Sequence, residues 1–364
     1  MQNNFHLIRF TAATLVLYGH CYPLTNRGNY DAITLMTQGI FPTAHMGVCI
    51  FFVVSGYLVS QSLQNSPTIL SFIWKRIIRI FPALIVVIII CVVVGGTIFT
   101  TLSNREYWQN HETYRFLKLI KLYPHVGFTL PGVFKTLPVK DVNGSLWTLP
   151  YEVTMYLFLV ILQMCGLFSR RNIILFLFLF SFPFITYYFF NYHPTRLIPI
   201  LHLTFNDTFE FALFFMAGTL LFLFKDKIQY RFIYFFIIVF LWFGLGFLHI
   251  TTPIMIKTIS FLALPYIILY LAMLKGKLNK FGKIGDFSYG IYIYAFPVQQ
   301  MIVQFYGIEI SISKMFVMSF LIVLILSILS WYLIEEKALR LKSLSLNENK
   351  TIRTILFYSL GIKY

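Results

Sequence analysis

Long apolar runs broken by short polar stretches dominate this chain, without the period-two alternation of half-buried strands. Each run spans roughly 17 to 25 residues, enough to cross a hydrocarbon core of about 30 Å. The pattern predicts ten membrane-spanning helices, at residues 6–23, 45–63, 82–102, 146–168, 172–190, 209–224, 232–249, 254–274, 287–306 and 314–334. The expected fold class is therefore all-α, a polytopic membrane protein. A transmembrane domain over residues 1–340 is followed by a basic tail over 341–364.

Composition excludes an ordinary soluble domain, since 58% of the 364 residues are hydrophobic, 19% are aromatic and only 12% are charged. Orientation follows from the basic residues, because short cytoplasmic loops retain Lys and Arg during insertion. With the N-terminus inside, 18 of the 29 basic residues fall on cytoplasmic connections or the tail, which predicts both termini in the cytoplasm. The net charge of +16 is spread over many loops, so anionic lipid headgroups explain it better than nucleic acid does. The first span lacks a basic leader and a small-x-small cleavage site, and reads as a retained helix. Cys21, Cys49, Cys91 and Cys165 lack CxxC spacing, so they read as small core residues, with neither a disulfide framework nor a metal site expected.

A few polar residues interrupt the apolar runs where hydrocarbon tolerates them poorly. Arg9 and His20 both lie in the first span. Eleven helical steps bring them to within about 20° of one face, about 16 Å apart along the axis. Arg76 and Arg79 are three apart beside Pro82, which is expected in the first turn of the third span. The two guanidiniums suit either a positive-inside anchor or a phosphate site. Glu152 lies about two turns inside the outer interface and needs a cation, a histidine or a hydroxyl-rich ligand. Trp147 and Tyr151, four apart, suit either sugar stacking or an interfacial belt. The loop histidines His111 and His125 read as surface residues.

With His20 and Glu152 in the outer half and the paired arginines at the inner surface, a ligand joining them must be long and thin. A phosphorylated nucleotide carrying a flexible arm of roughly 15 to 20 Å matches that spacing, and acyl-coenzyme A has this shape.

The motifs resemble the integral-membrane acyltransferases called acyltransferase-3, which modify bacterial surface polysaccharides and other acceptors. They comprise Arg9 with His20, the stretch Gly47 to Leu58, Arg76, Arg79 and Pro82, and Ser145-Leu146-Trp147-Thr148-Leu149 with Glu152. Further on come Ile284 to Tyr292, Phe296-Pro297, and Tyr332-Leu333-Ile334-Glu335. Three positions depart from the family pattern: His6 for an acidic residue, Cys49 for Asp or a small polar residue, and Ala295 for His.

The resemblance implies O-acyl transfer, usually of acetyl, from cytoplasmic acetyl-coenzyme A as co-substrate to a hydroxyl of a cell-surface or lipid-linked saccharide. It places the enzyme in the bacterial inner membrane, with no metal cofactor. Within it, His20 acts as base or transient acyl carrier, and Glu152 orients the acceptor or the imidazole. Arg9, Arg76 and Arg79 hold coenzyme phosphates. Ser145, Trp147, Tyr151 and Tyr289 are the expected acceptor contacts, while Ser55 and Gly56 are expected to permit close helix packing. The alternative reading is a transporter or flippase of a lipid-linked saccharide, although no internal repeat is visible.

Overall fold

The computed structural model describes residues 3–343 except 38, 40, 124–126, 190–196, 199, 200 and 248–252. The expected tail beyond residue 343 and His125 lie outside the described residues. Among the described residues ten helices of 16 to 22 residues overlap the apolar runs: α1 Phe5–Leu24, α2 Thr43–Gln64, α3 Ile69–Ile90, α4 Leu149–Met164, α5 Arg170–Phe189, α6 Phe205–Leu223, α7 Phe232–Phe247, α8 Pro253–Met273, α9 Ser288–Tyr306 and α10 Ile312–Ser330. Six helical segments among the described residues are long and apolar enough to cross a membrane. The one sheet among them is the two-residue pair Leu197–Ile198 with Leu203–Thr204. Short helices at Asn104–Gln109 and His111–Phe116 and a 3₁₀ turn at Leu117–Lys121 occupy the long third connection.

The third span differs from its expected form. Pro82 does not open it; a single helix runs through Pro82 from Ile69. Thr68 caps the start, accepting from the Ser71 N–H, and places Arg76 and Arg79 inside the helix. Proline removes one donor from that turn, a loss that packing between membrane helices can offset. The Tyr289 hydroxyl from α9 donates to the Ile80 carbonyl in the adjoining turn. The helix of α3 passes through a π turn at Cys91–Gly96 and runs on to Phe99, and the helix of α10 continues through another at Trp331–Glu335.

α1 sits in the centre, packed between α2 and α9, with α6 against the far side of α2. Small residues make these approaches possible. A Cβ on Gly56 would fall 1.9 Å from the Phe215 carbonyl oxygen, and one on Gly218 2.1 Å from that of Val53. α2 and α6 therefore meet backbone to backbone, as small-residue stripes allow in membranes. Large apolar side chains such as Phe236 and Phe240 on α7 and Leu321 and Ile325 on α10 remain exposed on the perimeter, where lipid would cover them.

Candidate active site

Each guanidinium predicted from the sequence meets a different environment. Arg9 Nη1 donates to Asp286 Oδ2 at 2.5 Å, and Arg79 Nη2 donates to the same oxygen at 2.6 Å. Arg79 Nη1 also reaches Glu335 Oε2 at 3.4 Å. Asp286 lies just before α9, and its second oxygen accepts from the Ser288 hydroxyl. Burial alone would push the Asp286 carboxyl up, but the Arg9 and Arg79 guanidiniums hold it well below the usual carboxylate range. His6 Nδ1 stands 3.6 Å from the same carboxylate. One buried carboxylate thus ties α1 and α3 to the start of α9.

Arg76 is less committed. Its Nη2 donates to Ser62 at 3.3 Å, its plane lies over the Phe72 and Tyr156 rings, and its buried Nε has no partner among the described residues. It faces a cavity of about 310 Å³ that also touches Arg9, Arg79, Glu152 and Lys342. Burial first, and then the Arg79 and Arg76 charges, lower the Lys342 ammonium to about 8.

A second, narrower cavity of about 40 Å³ continues along the bundle axis between α2, α4 and α9. The two share Arg9, Ser55, Glu152 and Tyr289 in their walls, so the lining is continuous from Lys342 to Val48 and Thr148. Glu152 stands where they meet, accepting from the Ser55 hydroxyl at 3.0 Å and from the Tyr156 hydroxyl. Ser55 is therefore a wall residue bonded to Glu152 rather than a packing residue. Gly56 beside it takes the packing role.

His20 lies beyond the narrow end of this lining. Gly19 packs directly on Ala44, where a Cβ would fall 2.5 Å from the backbone nitrogen. That contact sets His20 about one turn, or roughly 6 Å, past Val48. It projects from the same face of α1 as Arg9, and its buried Nδ1 has no partner among the described residues. The Phe296 ring, 5.3 Å away edge to face, packs against it and also abuts Gly144. Glu152 and His20 are one behind the other along this axis; the hydrogen bonds of Glu152 go to Ser55 and Tyr156.

The expected acceptor contacts divide similarly. A 3₁₀ turn at Gly144–Thr148 leads into α4, and the Tyr292 hydroxyl ties it down by donating to the Ser145 carbonyl. Ser145 and Tyr151 are buried, and the Tyr151 hydroxyl accepts from the Thr204 N–H at 3.0 Å. Trp147, partly exposed, packs edge to face on Tyr151 at 5.6 Å. Tyr289 lines both cavities, and its ring stands 5.7 Å from the Arg79 guanidinium carbon. Asp286 and Glu335 lie inside the motifs named from the sequence but had no role assigned there, and Tyr156 and Lys342 had none either. Acidic residues beside the ninth and tenth spans were the available signal for the first two.

A family profile described as an acyltransferase domain matches residues 2–336. The chain belongs to the acyltransferase-3 family. This acyltransferase is similar to an O-acetyl transferase of Shigella phage Sf6, with 27% identity over 360 residues covering 93% of this chain and 96% of that one. It is also similar to nodulation protein 10 of Rhizobium leguminosarum bv. viciae, with 32% identity over 166 residues covering 44% of each chain. No solved structure shows a significant match.

Proposed function

We propose that this acyltransferase moves an acetyl group from acetyl-coenzyme A, bound from the cytoplasm, to a hydroxyl of a cell-surface or lipid-linked saccharide at the bacterial inner membrane. The observation that carries this reading is the continuous wall from Lys342 and Arg76, past Arg9 and Glu152, to Thr148, with His20 on the Arg9 face just beyond. Cations at the wide end suit the phosphates of a nucleotide, and the narrow end suits a thin acyl-bearing arm. The phage relative's name supports acetyl as the group transferred. Family membership favours transfer over the transporter reading.

In the proposed reaction the acceptor hydroxyl oxygen attacks the thioester carbonyl carbon while His20 takes the hydroxyl proton. The carbon–sulfur bond breaks, the coenzyme leaves as its thiolate, and the proton held by His20 can return to the sulfur. The buried Nδ1 of His20 has no hydrogen-bond partner among the described residues, which supports this role. In this proposal the imidazole reaches the thioester at the narrow end of the cavity, beside the Phe296 ring that packs on it. Glu152, with Ser55 and Tyr156, provides a polar station along the path.

Mass spectrometry of surface glycans from cells carrying the native protein or His20→Ala tests the assignment. The expected result is loss of one acetyl mass per modified unit in the variant, with the protein still present in the membrane. Unchanged acetylation in that variant would overturn it.

A further inference from the structure

At the end of the bundle opposite the guanidiniums, three chemically reactive side chains converge from two helices. His45 and Cys49 are four apart on α2, hence on one face, and Glu210 comes from α6. Their donor atoms all lie within 4.8 Å of one another, with His45 Nε2 2.9 Å from Glu210 Oε1. Lys257 of α8 reaches the same Glu210 oxygen at 2.8 Å. Cys49 is fully buried, and His45 keeps about 20% of its side chain exposed, leaving a way in from that end of the bundle.

We propose that His45, Cys49 and Glu210 form a transition-metal site suited to zinc. An imidazole, a thiolate and a carboxylate are the three donor classes zinc accepts, and three protein ligands leave one position open. Ligand pairs four apart on a helix are a recurrent way to present two donors to one ion. Tetrahedral donors roughly 2.0 to 2.3 Å from zinc stand about 3.3 to 3.8 Å apart. The His45–Glu210 pair, at 2.9 Å, needs to open by about half an ångström, and any donor pair near the 4.8 Å limit needs to close by about one, both within the reach of side-chain rotation.

Lys257 supplies the reason such a site could stay empty when zinc is scarce. Its ammonium neutralises Glu210, so a metal must displace it from the carboxylate. The structural consequence of occupancy is a cross-link between α2 and α6 beside Phe211. His45 packs on that ring at 5.8 Å, and Trp147 and Tyr151 pack on it at 5.7 and 5.5 Å. The ion would brace the aromatic group at this mouth of the bundle.

Full-length protein in detergent, stripped with chelator and titrated with zinc or cobalt(II), tests this directly. The native chain is expected to bind one equivalent of zinc, and cobalt to show a thiolate-to-metal absorption band. Cys49→Ser should abolish the band and weaken zinc at least tenfold. Lys257→Met, which releases Glu210, should tighten zinc at least tenfold. Absence of stoichiometric zinc and of the cobalt band from both the native chain and Lys257→Met overturns the site and leaves the cluster an ionic clasp. A cobalt band that survives Cys49→Ser overturns it equally.

Discussion

Three arginines of similar sequence context do different work because of what faces them. Arg9 and Arg79 share Asp286, whereas Arg76 presents an unpaired Nε to the cavity. Arg76→Ala is therefore expected to weaken coenzyme A binding about tenfold or more with little loss of stability. A charge-assisted hydrogen bond is worth about 1.5 to 3 kcal/mol, and Arg76 gives up no internal ion pair. Isothermal titration alongside thermal melting of the variant separates the two effects. For His20→Ala, loss of a positioned base predicts a rate decrease of about 10²- to 10⁴-fold with coenzyme binding retained, checked by single-turnover assays. Glu152→Gln keeps the shape and removes the charge. With Ser55 and Tyr156 both donating to it, the expected outcome is a larger change in kcat or KM than in melting temperature.

At the scale of elements, the α2–α6 contact has no room to give. Gly56→Ala forces a carbon against the Phe215 carbonyl, and backbone cannot rotate away as a side chain can. A loss of about 1 to 3 kcal/mol or failure to accumulate is expected, measured by fluorescence-detected size exclusion after heating. The helical, membrane-capable character of the chain could be read from apolar run lengths, and six described segments meet that length and apolarity. The course of α3 could not. Pro82 looks like a beginning in sequence, but Thr68 offers a cap fourteen residues earlier and the helix runs on through the proline. The π turns at Cys91–Gly96 and Trp331–Glu335 left no periodic trace in stretches that are apolar nearly all round.

Across the whole molecule, Asp286 joins residues 277 and 207 positions apart in the chain. Its carboxyl is held below its unfolded value of about 3.9, so its stabilising contribution is complete above about pH 5. That contribution fades only as pH falls through the lower, folded value. Melting temperature should consequently be insensitive to this group from pH 5 to 8. Asp286→Asn should lower stability by about 3 kcal/mol throughout that range, because Arg9 loses its carboxylate partner and Arg79 keeps only Glu335. Thermal melts of both proteins across the pH series check the sign. His20 and the arginines were legible because polar groups are conspicuous in apolar runs. Their partners were not, since Asp286 and Glu335 sit at helix ends, where acidic residues are unremarkable, and only folding brings them inward.

The shared carboxylate also bears on turnover. Any anion arriving at Arg9 or Arg79 finds those cations already engaged, and must outbid an internal rival that is tethered and never diffuses away. Affinity at this end is capped by that rivalry. For the proposed donor, a spent ligand would in return face a resident carboxylate able to reclaim both guanidiniums, which favours its release.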